Sequence, residues 1–134
     1  MSSPDFSFPQ DTLRQMAQDI LDHAKSRGAS ACEADVSEGF GQSVAVRLGA
    51  VETIEYNRDK GLGVSVYIGQ RRGHASSSDF SPAALRASVE AALSIARFTA
   101  EDDCAGLPDA RLLAKRGMDL DLFHPWDVSV EAAI

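Results

Sequence analysis

The sequence is short of the residues that most simple site signatures require. It has two cysteines, Cys32 and Cys104, in 134 residues, with no C-x-x-C pair, and its three histidines form no H-E-x-x-H. Neither short zinc signature is therefore present. No apolar run approaches the ~20 residues needed to cross a bilayer. The N-terminus, MSSPDFSFPQDTLRQ, lacks a basic segment followed by an apolar one, so it does not resemble a secretory signal. A cytoplasmic location follows by default, and in that compartment two free, partly buried thiols are expected in place of a disulfide.

Phosphate loops are missing as well. No G-x-x-x-x-G-K-[ST] occurs, and in RDKGLGVSVYIGQRRG, residues 58 to 73, Gly61 and Gly63 are followed at the third position by Val66. The dinucleotide fingerprint needs glycine there, at the start of a helix, whereas Val66 lies in an alternating strand. The glycines are read instead as a turn and a close backbone approach, followed by a hairpin turn over residues 69 to 73.

Net charge is −7 and unevenly spread. Residues 31–57 carry five acids against one base and residues 101–134 eight against three, while residues 58–79 hold four bases against two acids. An acidic total disfavours nonspecific nucleic-acid binding. Arg58, Lys60, Arg71 and Arg72 could still gather at one end of a sheet and form a stand-alone module for an anionic partner. Tyr67 is that segment's only residue for base stacking, which places a solvated loop ahead of a nucleic-acid site.

What is present is the periodicity of one α+β domain. Leu13, Met16, Ala17, Ile20, Leu21 and Ala24 recur at helical spacing, with Gly28 as a stop, giving a helix from about residue 9 to 27. From Cys32 the period becomes two, through Val36, through Val44 to Leu48, and again from Leu62 to Ile68. Gly39 and Gly41 suggest a bulge or bend, Gly49-Ala50 a turn, and HASSS a further short strand. An antiparallel meander sheet of four to five strands, covered by two main helices, follows from this pattern.

The second helix starts at Ser81 as N-cap with Pro82 at its first position, and runs to about Thr99. Leu85, Val89, Ala92, Leu93 and Ala96 share its apolar face. Phe98 projects away from that stripe, and Ala83, Ala87 and Ala91 leave little polar surface, so a second contact surface is expected. Near the C-terminus, Asp127 or Ser129 can cap a helix that the chain carries for only about one turn.

Among single candidates, His23 reads as a boundary residue of the first helix. His74 precedes Ser76, Ser77 and Ser78 without a G-x-S-x-G elbow, and His124 in LFHPWD suits a packed corner as well as a ligand. Glu33, Asp35 and Glu38 read as the exposed side of a strand. No catalytic or metal residue is assigned.

In order along the chain, RDKGLGVSVYIG, GHASSSDFSPAAL, VEAALSIARFTAED, AGLPD and DLFHPWD resemble the N-terminal region of the PmbA/TldE family, peptidase-related proteins known as modulators of DNA gyrase. The likeness covers roughly residues 9 to 134. It implies a flexible N-terminus over 1–8, a PmbA/TldD-type α+β domain over 9–110, and a linker with the start of a truncated helix over 111–134. It also implies a cytoplasmic heteromeric protease in which a TldD-type subunit carries the zinc-binding H-E-x-x-x-H motif, with peptides as substrates. This chain has no such motif, so no cofactor is expected within it and zinc is expected in the partner. On that reading its role is architectural. Its partners would be a TldD-type subunit and a C-terminal domain of its own, met through Phe98, Arg71 and Arg72, with no membrane.

Overall fold

The computed structural model describes residues 6–134. In chain order it builds α1 (Gln10–Ser26), β1 (Ala31–Arg47), β2 (Ala50–Ile68), β3 (Arg71–Ser77) and α2 (Pro82–Phe98). The strands form one antiparallel meander in the order β1-β2-β3, and both helices pack on the same face of it. The fold is α+β with two covering helices, as the periodicity indicates, but three strands replace the expected four to five.

The difference lies in the glycines. Gly39, Gly41, Gly61 and Gly63 keep extended backbone and stay in the ladder, opposite Asp59, Asn57, Ser37 and Asp35 respectively. A glycine in a strand interior removes a side chain without removing its N–H or C=O, so pairing continues through it. The apparent strand pairs on either side therefore merge into strands of 17 and 19 residues. The actual irregularity is a register shift between Ala45 and Val46.

Two-residue turns join the strands. Leu48 and Gly49 both have positive φ, 51° and 79°, the geometry of the tight hairpin turn that matches strand twist. The second turn is Gly69-Gln70, with Gly69 at φ 59°. Arg71 to Gly73, expected in that turn, are the first residues of β3.

Helix ends follow their sequence signals. Gly28 at φ 93° closes α1 with two backbone bonds, Gly28 N–H to Lys25 O and Ala29 N–H to Ala24 O, the Schellman pattern. Ser81 Oγ accepts from the Ala84 N–H at 3.2 Å. One step earlier, the Ser81 N–H donates to Asp79 Oδ1 at 2.8 Å and holds that carboxyl below its ordinary range. Ile20 and Ala24 of α1, Leu62, Val64 and Val66 of β2, and Val89, Ala92, Leu93 and Ala96 of α2 form the dry centre.

At the rim, one carboxylate ties the helices together. Glu90 of α2 accepts from the Nε of Arg27, the residue that caps the end of α1, at 2.7 Å and sits 3.1 Å from Nε2 of His23 in α1. The Arg27 bond is the main cause of a Glu90 pKa below the usual 4.5. A carboxylate lowered in this way stabilises the fold above its unfolded value and loses that contribution as pH falls through its folded value. Glu90→Gln is therefore expected to lower stability at neutral pH and to leave a shallower decline below about pH 4.5. Chemical denaturation of both proteins across that range measures it, and parallel pH profiles would count against the link.

β3 pairs only with the stretch from Leu62 to Ile68, so the distal halves of β1 and β2 continue as a two-stranded ribbon. Residues 6–8 brace its base. The N–H groups of Ser7 and Phe8 donate to the Glu38 carboxylate at 2.9–3.2 Å, and the Phe6 ring lies 4.9 Å from that of Phe40. Burial works to raise the Glu38 pKa, but these donors hold it below its ordinary value. Residues 1–5 of the expected flexible terminus lie outside the described residues.

Beyond α2 the chain is largely irregular, with one 3₁₀ turn (Ala110–Leu112) and a last short helix, α3 (Val130–Ala133), capped by Ser129. The LFHPWD stretch is not a packed corner. Trp126 is 83% exposed, and Phe123 reaches Phe6 with its ring but remains 65% exposed. Both thiols are free. Cys32 is half-buried beside the core, where burial, with the Glu33 charge second, pushes its pKa up to about 11. Cys104 is exposed where partial burial was expected. No helix among the described residues is long and apolar enough to cross a membrane.

Candidate functional site

The period of two that buries Leu62, Val64 and Val66 turns Gly63, Ser65 and Tyr67 to the opposite face of the central strand. Register places Asp35 and Ser76 on either side of Gly63, and Glu33 and His74 on either side of Ser65. Among the described residues, no helix covers this face. Its side chains are short or polar, and they surround a depression of about 520 Å³ bounded by Asp35, Gly61, Gly63, His74, Ser76 and Ser78, among others.

Ser65 is the anchor of this surface, only 3% exposed although it faces away from the helices. Its Oγ accepts from Arg72 Nη2 at 2.9 Å and lies 3.1 Å from His74 Nδ1. Arg72 also reaches Glu33 at 3.6 Å. The Ser65 hydroxyl has two lone pairs and one proton: in the tautomer with hydrogen on His74 Nε2 it donates to Nδ1 while accepting from Arg72, and in the other tautomer it accepts from both. Asp35 leans across the row: a Cβ at Gly63 would collide with its Oδ1 and lie 3.2 Å from its Cγ. A side chain at 63 would make that carboxylate swing away from its place over the strand.

Asp35 and His74 thus come together on one face. In the sequence alone they stand apart, Asp35 as a solvated strand residue and His74 as part of a serine-rich edge. The missed signal was turn length, since a two-residue turn at Gly69-Gln70 puts Ser65 opposite His74 without further choice.

The basic residues do not gather. Arg71 and Arg72 pair with Ile68 and Tyr67, whereas Arg58 and Lys60 lie seven to ten positions back along β2, roughly 23–33 Å at strand spacing. Lys60 Nζ sits over the rings of Phe8 and Phe80 at 5.8 and 5.3 Å, and Arg58 donates to Ser7 Oγ. Arg71 bonds the Arg97 carbonyl and pairs with Glu101 at 3.3 Å, which ties the second hairpin to the end of α2. Phe98 is 89% exposed, on the same outer side of α2 as the exposed Ala87, Ala91 and Ile95. His23 is a boundary residue that joins the helices, and His124 is exposed, 4.0 Å from Asp121. Among the described residues, no three His, Cys, Asp or Glu side chains converge as a metal site would require.

A second surface is apolar. On the face of the ribbon that continues the core side of the sheet, Val46, Val51, Ile54 and Tyr56 are 43–64% exposed. Two strands without a covering layer are marginal in water, and apolar faces of this kind mark contact surfaces.

Comparison with known proteins gives concordant results. The family model of PmbA/TldA metallopeptidase domain 1 matches residues 32–96. Over 121 residues the chain is 46% identical to the metalloprotease PmbA homolog of Haemophilus influenzae, covering 90% of this chain and 27% of that protein. It is 51% identical over 114 residues to metalloprotease PmbA of Escherichia coli O157:H7, covering 85% and 25%. The chain thus spans about a quarter of the length of these curated relatives. A crystal structure from Bacteroides thetaiotaomicron, named as a modulator of DNA gyrase, shares the fold with a TM-score of 0.72 at 22% identity, covering 82% of this chain and 25% of that one.

Proposed function

Because this chain belongs to the PmbA/TldA metallopeptidase family, matching its first domain, we propose that it serves as the architectural N-terminal domain of a PmbA-type subunit in a peptide-processing assembly. The reading assigns zinc and its ligands to a TldD-type partner, and gives this domain the work of holding surfaces together. The observation that carries it is the uncovered apolar face of the ribbon, which a stable assembly would bury. The exposed Phe98 at the end of α2 supplies a second patch.

The test uses the full-length protein and a TldD-type subunit. Val46 and Ile54 are both exposed, so replacing each with aspartate leaves the core of the domain intact. The double variant is expected to keep its thermal unfolding midpoint and to associate at least about tenfold more weakly. Phe98→Asp is expected to weaken association less, since one residue at the edge of a contact contributes less than a central patch. Unchanged association of both variants would overturn the reading.

A further inference from the structure

The polar face lies outside the cluster that the helices cover, yet it carries two buried residues, Ser65 and Tyr67, beside exposed polar groups. Ser65 is buried between Arg72 and His74, and when its hydroxyl donates to Nδ1 the exposed imidazole carries its hydrogen on Nε2 as a donor. The Asp35 side chain, one row along, has no hydrogen-bond or ion-pair partner among the described residues. Its carboxylate lies over Gly63 beside the depression. At Gly61 the backbone is not left-handed, and a Cβ there would meet only the Ser77 carbonyl oxygen, at 4.0 Å. Neither conformation nor packing demands glycine at 61. A glycine inside a central strand weakens it, and one common reason to keep it is the close approach of another chain or a ligand.

A ligand for this face needs a cationic donor for Asp35 and an acceptor for His74. Asp35 and His74 sit on the two outer strands, but the Asp35 carboxylate leans over Gly63 and the His74 ring meets Ser65, adjacent rows of β2 roughly 7 Å apart, which is also the span of two residues of extended peptide. Resting on the reading that the assembly processes peptides, we infer that this face binds the free amino terminus of a short extended peptide. The ammonium group pairs with Asp35, the carbonyl of the second residue accepts from His74 Nε2, and the peptide backbone lies over Gly61 and Gly63. Ser65 and Arg72 are positioning residues that hold the imidazole.

The test titrates the isotope-labelled chain with trialanine and with N-acetyl-trialanine while backbone amides are followed by NMR. Trialanine is expected to bind with a Kd on the order of 1 mM and to shift the amides of Asp35, Gly61, Gly63, His74 and Ser76. Acetylation, or Asp35→Asn, is expected to weaken binding about fivefold or more, and His74→Ala to weaken both peptides alike. Asp35 and His74 are exposed, so these variants leave the core untouched. No shifts at those amides, or equal binding of the acetylated peptide, would overturn the inference. Peptide binding lost while association with a TldD-type subunit persists would sink this inference alone, whereas the reverse result would sink the architectural reading alone.

Discussion

Gly73→Ala is expected to destabilise the domain by about 3 kcal/mol or more, enough to leave a marginal domain largely unfolded. Gly73 opens the helix-facing side of β3, opposite Val66, where α2 presses directly onto the sheet. A Cβ at this position would run into the Ala92 carbonyl oxygen and come within 2.6 Å of the Ala96 nitrogen. These are backbone atoms of a helix, so no rotamer change relieves the clash, and the whole of α2 would have to lift. Gly61→Ala is the matched control, since its nearest neighbour is 4.0 Å away. It is expected to change stability by about 0.5 kcal/mol or less. Urea denaturation of the two variants separates these outcomes, and similar midpoints would contradict the close packing of α2 on β3.

Leu93→Ala carries the next largest expected effect, about 3 kcal/mol. Leu93 is fully buried, as are its neighbours Val89, Ala92 and Ala96 on the face of α2 turned to the sheet. Truncation removes buried methyl groups and leaves a cavity that flanking alanines and a rigid sheet cannot fill. A fall of about 10 °C in the unfolding midpoint is the corresponding observable. Loss of about 1 kcal/mol or less would mean that α2 sits more loosely on the sheet than its burial indicates.

Much of this fold was legible because periodicity and caps are local signals. The spacing of Leu85, Val89, Ala92, Leu93 and Ala96 identified the buried face of α2, and Ser81-Pro82 fixed its start. Gly28 likewise marked the end of α1. Strand number was not legible, because a glycine in extended backbone and a glycine in a bend look alike in sequence. Gly39, Gly41, Gly61 and Gly63 are of the first kind, whereas Gly49 and Gly69 sit in turns. The candidate site was less legible still. Asp35, Ser65 and His74 are separated in sequence and meet only once the register is set, and register here rests on a turn two residues long. Phe98 could be placed on the outer side of α2 from its helical position alone, and it is there.

Zinc in a mixed assembly is expected to reside on the TldD-type chain, and sedimentation velocity combined with zinc quantification measures where it is held. The full-length protein, a TldD-type subunit and their mixture would each be run, and peptide cleavage measured on the same samples. The mixture is expected to form one complex whose zinc belongs to the TldD-type chain, and the full-length protein alone is expected neither to hold zinc nor to cleave peptide. Cleavage by the full-length protein alone at the rate of the mixture, or two components that sediment independently, would contradict this assignment.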